Sequence, residues 1–423
     1  RASASTIFKG LSFAGIYKIL SDGMGLFPSQ LHYEPKSFKG SGIGIDILPA
    51  LTGVGYICGP KISAYMLGGG ILSWLVLMPL LYFMGSDTLV GMDSHGIWSS
   101  YIRYIGAGAV AAGGIISLVK CLPLIITTFT KGFKGMNNNT EDSKRDIPFK
   151  YILFLIAILI LIIWLVPFIP VTFMGALIIA LFGFFFATVS SRLVGLVGSS
   201  NNPVSGMTIA TLLISAFILK ASGYDARSGM IGAIAIGSVI CIVVAVAGDT
   251  SQDLKTGYIL GATPYKQQIG EFIGVALSSL FIGAILFLLN KAWGYGSTEL
   301  PAPQATLMKL VVEGVMGGSL PWTLVFIGAF IAVIIEIIGI PVLPFCIGIY
   351  LPIHLSMGIM SGGLVRLWSD SKKIDSKTGI LYSSGMIAGE GLVGIILALL
   401  AIIPLGAGTL GSFINVSDSF SLG

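Results

Sequence analysis

Residues 151–168 read YILFLIAILILIIWLVPF, an uninterrupted run without a charged residue. About 20 such residues in a helix cross the roughly 30 Å hydrocarbon core of a bilayer. The run lacks the period-2 alternation of a barrel strand, and every backbone group inside lipid must be bonded within the segment or a closed barrel. A transmembrane helix is therefore the reading, and it decides the class of the whole chain.

The rest of the sequence repeats this pattern. Comparable runs lie at 62–84, 101–119, 171–189, 228–247, 268–290, 321–338 and 380–403. Segments 43–58, 203–220 and 341–365 are interrupted by Gly, Pro or polar residues, and 305–318 is short and amphipathic, as a re-entrant hairpin would be. The expectation is an all-α polytopic membrane protein of about ten to twelve transmembrane helices, some of them broken or re-entrant.

Composition excludes the other classes. Of 423 residues, 55% are hydrophobic and 10% charged, where a soluble domain carries about 25% charged. With the 57 glycines counted, the apolar share is about 69%, against roughly 45–50% ordinarily. A disordered chain is charge-rich and apolar-poor. The net charge of +5 is not gathered into a basic stripe, so no nucleic-acid partner is expected. Cys58, Cys121, Cys241 and Cys346 stand far apart in apolar stretches, neither a disulfide framework nor a zinc spacing. No Walker A, HExxH or GxSxG sequence is present, which argues against an ATP-driven pump or a recognisable membrane hydrolase. No cofactor is expected. The chain opens Arg1-Ala2-Ser3-Ala4-Ser5 without an initiator Met, so further N-terminal sequence is expected before it.

One transmembrane domain, 1–423, is expected, with a polar connection at 131–150 carrying Lys131, Lys134, Lys144, Arg145 and Lys150. Basic connections stay cytoplasmic. Four crossings between Lys150 and Lys255 would return the chain to the same side, placing Lys255 and Lys266 there too. The basic group Arg366, Lys372, Lys373 and Lys377 is also expected to be cytoplasmic.

Two distant stretches share an internal spacing. Residues 49–60 read PALTGVGYICGP and are followed by Ser63 and Gly69-Gly70; residues 341–352 read PVLPFCIGIYLP and are followed by Ser356 and Gly362-Gly363. Repeated segments with Gly/Pro-interrupted helices are the plan of secondary transporters and point toward their binding sites. The spacing predicts helices broken near Pro60 and Pro352.

Polar residues within this apolar chain are the site candidates. Asn201, Asn202 and Pro203, followed by Ser205 and Gly206, have helix-start chemistry beside an apolar helix. A helix N-terminus there would offer N–H groups to an anionic part of a substrate; an ordinary capped turn is the plainer alternative. Tyr350 and His354, flanking Pro352, join the candidate pathway, although a packing role suits His354 equally. Asp249, Gln252, Asp253, Lys255 and Gln267 cluster between two apolar helices as a gate or coupling loop, or as a solvated one. Glu336, among isoleucines, and Glu390, in Ala388-Gly-Glu390-Gly-Leu392, are ionisable residues in apolar segments and so candidates to carry a proton. Small-residue pairs Ala109/Gly113, Ser279/Gly283 and Gly385/Gly389 allow close helix packing.

Several of these stretches carry a resemblance. SNNPVSGMTI (200–209), GDTSQDLKTGYILGATPYKQQ (248–268), GYICGPKISAYMLGGGILSWLVLMPL (55–80), GIPVLPFCIGIYLPIHLSMGIMSGGLVR (339–366), ASGYDAR (221–227) and AGEGL (388–392) resemble the oligopeptide transporter family, its prokaryotic branch in particular. The yellow-stripe metal–chelate transporters are more distant relatives. The resemblance covers nearly the whole chain, and members are usually longer at the N-terminus. It implies secondary, proton-coupled transport of small peptides, glutathione-like thiols or metal chelates across the cell membrane, by a helical fold with duplicated halves. The partners implied are a small-molecule or oligopeptide substrate, protons and the lipid bilayer; the oligomeric state stays open. A metal-chelate carrier and a channel are the alternatives, and uptake driven by a pH gradient separates the carriers from the channel.

Overall fold

The computed structural model describes residues 2–35, 38–85, 91–135, 146–167, 171–197, 204–297, 300–317, 321–405 and 408–415. In chain order its elements are α1 (Ala2–Lys18), strands β1 (Gln30–Tyr33) and β2 (Ile43–Asp46), then α2 (Pro49–Cys58), α3 (Pro60–Ile71), α4 (Met78–Met84), α5 (Ser94–Ile97) and α6 (Arg103–Gly135). There follow α7 (Phe149–Leu165), α8 (Phe173–Val197), α9 (Val204–Ala221), α10 (Ala226–Leu260), α11 (Pro264–Ala292) and α12 (Pro303–Gly317). The chain closes with α13 (Trp322–Ile338), α14 (Val342–Tyr350), α15 (Ile353–Ser371), α16 (Ser376–Ile402), the short β3 (Pro404–Leu405) and β4 (Gly408–Thr409), and α17 (Leu410–Ile414). Single π-helical turns lie at Ile19–Gly23, Leu72–Leu77 and Trp98–Ile102.

The protein is an all-α polytopic membrane protein. Among the described residues, six helices are long and apolar enough to cross a bilayer: Pro60–Met84, Phe173–Gly195, Val204–Ala221, Ala226–Leu260, Pro264–Ala292 and Ser376–Ile402. Shorter apolar helices at Pro49–Cys58, Lys150–Leu165 and Trp322–Ile338 accompany them. Segments 43–58 and 341–365, counted above as single crossings, are each more than one element: the first is β2 with α2, the second α14 with most of α15.

The chain forms two compact units. The first holds residues 1–110, 283–303 and 322–423; the second holds 111–282 and 304–321. The second unit packs α8, α9, α10 and α12 around an apolar core that includes Val171, Ile179, Leu212, Ile236, Val312 and Val315. Caps set its helix ends. The Asp225 carboxylate accepts the Ser228 N–H at 3.1 Å to start α10, and Gly261, in the left-handed region at φ 74°, ends it. In the first unit, β1 and β2 form an antiparallel hairpin pairing Gln30 with Asp46 and Tyr33 with Ile43.

Candidate functional site

Within the first unit, two helices are broken as the spacing of Pro, Ser and Gly-Gly predicts. α2 ends at Gly59, whose φ of 84° favours glycine, and Pro60 opens α3. α14 ends at Leu351, and Pro352 caps the start of α15. The four half-helices cross in exchange, α2 on α15 and α14 on α3. The crossings are backbone on backbone. A Cβ on Gly55 would lie 1.7 Å from the Ile359 carbonyl oxygen, and one on Gly348 would lie 1.9 Å from that of Met66. A Cβ on Gly362 would meet the Thr52 oxygen at 1.9 Å and the Tyr56 nitrogen at 2.7 Å; one on Gly69 would meet the Phe345 oxygen at 2.1 Å and the Ile349 nitrogen at 2.8 Å. Each of these pairs maps onto its counterpart by the same offset of 293 residues (Gly55 to Gly348, Met66 to Ile359, Thr52 to Phe345). Only a two-fold arrangement exchanges the contacts in this way.

The exchange extends further than the sequence spacing revealed. A Cβ on Gly10 of α1 would lie 2.1 Å from the Tyr382 oxygen of α16, and one on Gly328 of α13 would lie 1.8 Å from the Ile105 oxygen of α6. Reciprocally, Gly385 faces the Ile7 oxygen at 2.1 Å and Gly108 the Val325 oxygen at 2.1 Å. So α1, α2, α3 and α6 correspond to α13, α14, α15 and α16. The small-residue pair Gly385/Gly389 lies on this crossing, with Gly389 against Leu11, whereas Gly283 has open space around its Cβ position.

Two carboxylates from elsewhere in the first unit reach the starts of α2 and α15. At α2, the first N–H groups have no partner inside the helix, and Leu48 supplies no side-chain cap. The Glu390 carboxylate of α16 accepts the Ala50 N–H at 2.7 Å. Glu390 is 9% exposed. Lys18, at the end of α1, lies 3.8 Å from it and is also paired with Asp22. At α15, Asp46 Oδ1, from the last residue of β2, lies 2.9 Å from His354 Nδ1.

The hairpin that carries Asp46 is fixed on its other strand side as well. Glu34 accepts the Ser94 N–H at 3.0 Å and the Ser94 hydroxyl, and His32 Nε2 lies 3.3 Å from the same carboxylate. Partial burial pushes the Glu34 carboxyl up, but the Ser94 bonds and the neighbouring His32 outweigh it and hold the group below the ordinary glutamate value. A cavity of about 300 Å³, lined by Leu31, His32, Tyr33, Ile43, Gly44 and Met357 among others, opens between the hairpin and α15.

The expected site residues fall in several places. Asn201, Asn202 and Pro203 lie outside the described residues. Ser205 and Gly206 occupy the first turn of α9, where a Cβ on Gly206 would lie 2.9 Å from the Gly114 oxygen. Tyr350, 2% exposed, is pinned: its hydroxyl donates to the Pro303 oxygen at 2.9 Å and its own carbonyl accepts from Trp98 Nε1 at 3.2 Å. Glu336, among its isoleucines, is half-buried in the last turn of α13, which ends before Gly339 at φ 85°.

Asp249, Gln252, Asp253 and Lys255 are not in a loop. α10 continues through Leu260, since nothing before Gly261 breaks it, and these residues form its polar end. Gln267, one turn into α11, donates to the Asp253 carboxylate at 3.2 Å. Nearby, Gln268 accepts the Ile147 N–H at 3.2 Å and lies 3.4 Å from Asp146, so the end of the 131–150 connection and the α10–α11 turn share one end of the second unit. That connection is also shorter than read: α6 runs through Gly135, and residues 136–145 lie outside those described.

Sequence reasoning missed Asp46, Glu34, Lys18 and the Glu390–Ala50 bond. Ser94 is 60 residues from Glu34, and His354, Ala50 and Glu390 are more than 300 residues from Asp46, Glu390 and Lys18, so no local spacing signals these contacts.

Broken helices exchanged about a two-fold in an all-helical membrane protein define the class of repeat-built polytopic transport proteins. The family description "OPT oligopeptide transporter protein" matches residues 12–401, and the chain belongs to that family. It is similar to a Haemophilus influenzae protein classed as an oligopeptide transporter, at 30% identity over 415 residues, covering 83% of this chain and 65% of the relative. It is also similar to an Oryza sativa subsp. japonica protein classed as a metal-nicotianamine transporter (25% identity; 85% of this chain, 57% of the relative). A Saccharomyces cerevisiae protein classed as an oligopeptide transporter matches at 23% identity, with 82% and 57% covered. The chain thus spans less than two thirds of the length of each of these relatives.

Proposed function

We propose that this chain carries out secondary, proton-driven transport of small peptides or peptide-like compounds across the cell membrane. The observation that supports this most is the two-fold exchange of the broken helices α2–α3 and α14–α15, because half-helix ends at a repeat interface are where such proteins hold substrate and coupling ions. Of the two proton-carrying candidates, Glu336 and Glu390, Glu390 is the better one. It is buried, and its charged form is matched to the Ala50 N–H and Lys18; protonating it would weaken both. Asn201, Asn202, Pro203, Ser205 and Gly206 are proposed to meet the substrate, and the polar end of α10 with Gln267 to couple the second unit's movements.

The test is uptake of labelled di- and tripeptides by proteoliposomes holding the purified protein. Accumulation above equilibrium that needs an inward proton gradient, and collapses with a protonophore, supports the proposal. Flux that only equalises concentrations would indicate a channel. A metal-chelate substrate is the second reading, favoured by the rice relative's description. Competition between peptide and metal–nicotianamine for uptake separates the two.

A further inference from the structure

Arg103 is a cation without a counter-ion. It opens α6 directly after the π-helical turn Trp98–Ile102, and the helical chain runs on from Ser94, so Arg103 is not at a free helix start. The residue is half-buried. Its Nε is shut off from solvent and has no hydrogen-bond acceptor. The Tyr104 ring centre lies 5.9 Å from Cζ, which orients the planar fork without neutralising it. Among the described residues no carboxylate pairs with the guanidinium, whereas Lys18 of the same unit pairs with Asp22, and Arg366 with Asp370. An arginine side chain stays charged in a protein and carries only donors, so leaving them unfilled away from water is costly.

The place of this charge gives it a use. Arg103 shares a helix face with Gly106, one turn on. A Cβ on Gly106 would lie 2.5 Å from the Tyr350 Cα, so this face of α6 meets the last residue of α14. The Arg103 charge also reaches the Tyr350 hydroxyl. Tyr350 stands immediately before the break at Leu351-Pro352, and half-helix ends at a repeat interface are where such proteins hold what they carry. A plainer role would be to offset the negative end of α14. Other donors already fill that role: Trp98 Nε1 donates to the Tyr350 oxygen at 3.2 Å, and the Leu351 N–H to the Ile347 oxygen at 2.8 Å. Near the end of α2, in the other repeat, Arg366 lies 5.3 Å over the Tyr56 ring, but Asp370 pairs with it at 2.9 Å. One arginine beside a helix break is thus neutralised, and the other is left open.

We propose that Arg103 binds a carboxylate of the transported substrate beside the break between α14 and α15. Nε and a neighbouring Nη present parallel N–H groups that match the two oxygens of a carboxylate, and a neutral amide cannot fill the same fork with charge. A peptide C-terminus and a carboxylate-bearing metal chelate share this chemistry. The ligand therefore rests on the transport reading above, in either of its two forms, and not on the proton gradient.

Equilibrium binding to the purified protein tests this without a gradient. The probes are trialanine, its C-terminal amide and the iron(II)–nicotianamine complex. Trialanine should bind about tenfold more tightly than its amide, as one charge-assisted pair implies. In Arg103→Gln the two should bind alike, and Arg103→Lys, which keeps the charge but not the fork, should retain part of the difference. If the carboxylate belongs to a chelate, iron(II)–nicotianamine should bind instead and weaken about tenfold in Arg103→Gln. Equal binding of acid and amide together with chelate binding indifferent to Arg103→Gln would overturn the proposal, as would no binding of any probe. Should the variants fail to fold, modification of Arg103 by phenylglyoxal, followed by mass spectrometry of the unsubstituted protein, decides the matter. Trialanine or the chelate should slow it and the amide should not; equal rates with all three would overturn the site. Gradient-driven uptake is a separate arm. Arg103-dependent binding with uptake that ignores the gradient would leave the site standing and end the proton-driven reading. Gradient-driven uptake of acid and amide alike would do the reverse.

Discussion

The Glu390 carboxylate accepts the Ala50 backbone N–H at 2.7 Å, so that one helix is capped by a side chain 340 residues later in the chain. The bond joins α16 of one repeat to α2 of the other. It replaces the local N-cap that Leu48 cannot provide. It also sets a buried carboxylate 3.8 Å from the Lys18 ammonium.

Glu390→Ala should therefore leave the Ala50 N–H and Lys18 without their partner, at a cost of about 1–3 kcal/mol. Glu390→Gln keeps an acceptor for Ala50 and should lose less. Thermal unfolding in detergent reads the order directly. In transport, Glu390→Gln should abolish gradient-driven accumulation while sparing substrate exchange; full accumulation by that variant would move the proton role to Glu336.

Gly55→Ala and Gly348→Ala should each prevent accumulation of folded protein, because the added methyl would lie 1.7 and 1.9 Å from a backbone oxygen that cannot move alone. Gly391→Ala and Gly394→Ala, where nothing lies within 4 Å, should be tolerated and should gain about 0.5–1 kcal/mol from helix propensity. Size-exclusion profiles of the four variants provide the comparison. Equal behaviour of Gly55→Ala and Gly391→Ala would contradict the packing.

The Glu34 attachment should be sensitive to acid in one direction only. Its folded carboxyl is held below the ordinary value of 4.5, so its contribution is fully present above that pH and is lost as pH falls through the lower folded value. The contribution is small, since the side chain is 43% exposed. The difference in melting temperature between the unsubstituted protein and Glu34→Gln should stay level from about pH 7 to about pH 4.5 and close below it. A gap that widened on acidification would reverse the sign.

Single cysteines replacing Asp146 and Lys266, in a protein lacking its native thiols, should label from the same face of the membrane. Gln268 bridges toward Asp146 and Ile147, which places the two positions at one end of the second unit. The basic residues around them predict the cytoplasmic face. Labelling from opposite faces would show that the Gln268 contact does not persist in the membrane.

How far the sequence carried depended on the range of each signal. The breaks at Pro60 and Pro352 were readable because proline constrains its own backbone, and the shared spacing marked the two as related. The pairing of α1 with α16 was not, because α1 contains Ser3, Ser5, Thr6, Lys9 and Ser12 among its apolar residues and its contact is made through Gly10 rather than an apolar stripe. The polar end of α10 read as a loop because charge was taken for the end of a helix; a helix leaving the apolar core keeps its backbone bonds while its side chains become polar. The hairpin strands, four residues each, carry no turn signature, and Asp46 and Glu34 gain meaning only from Ser94 and His354, which lie far along the chain.

The glycine crossings also decide where the first unit can bend. Interfaces built from side chains can slip, since rotamers exchange one set of contacts for another. Where Gly55, Gly69, Gly348 and Gly362 bring main chain against main chain, there is no rotamer left to change. Such a joint is welded, not lubricated. The four half-helices then form a single block, Gly59 included, and bending falls to its unwelded margins: to Gly339 before α14, whose positive φ suits glycine and which has open room around it, and to the hairpin held by side chains.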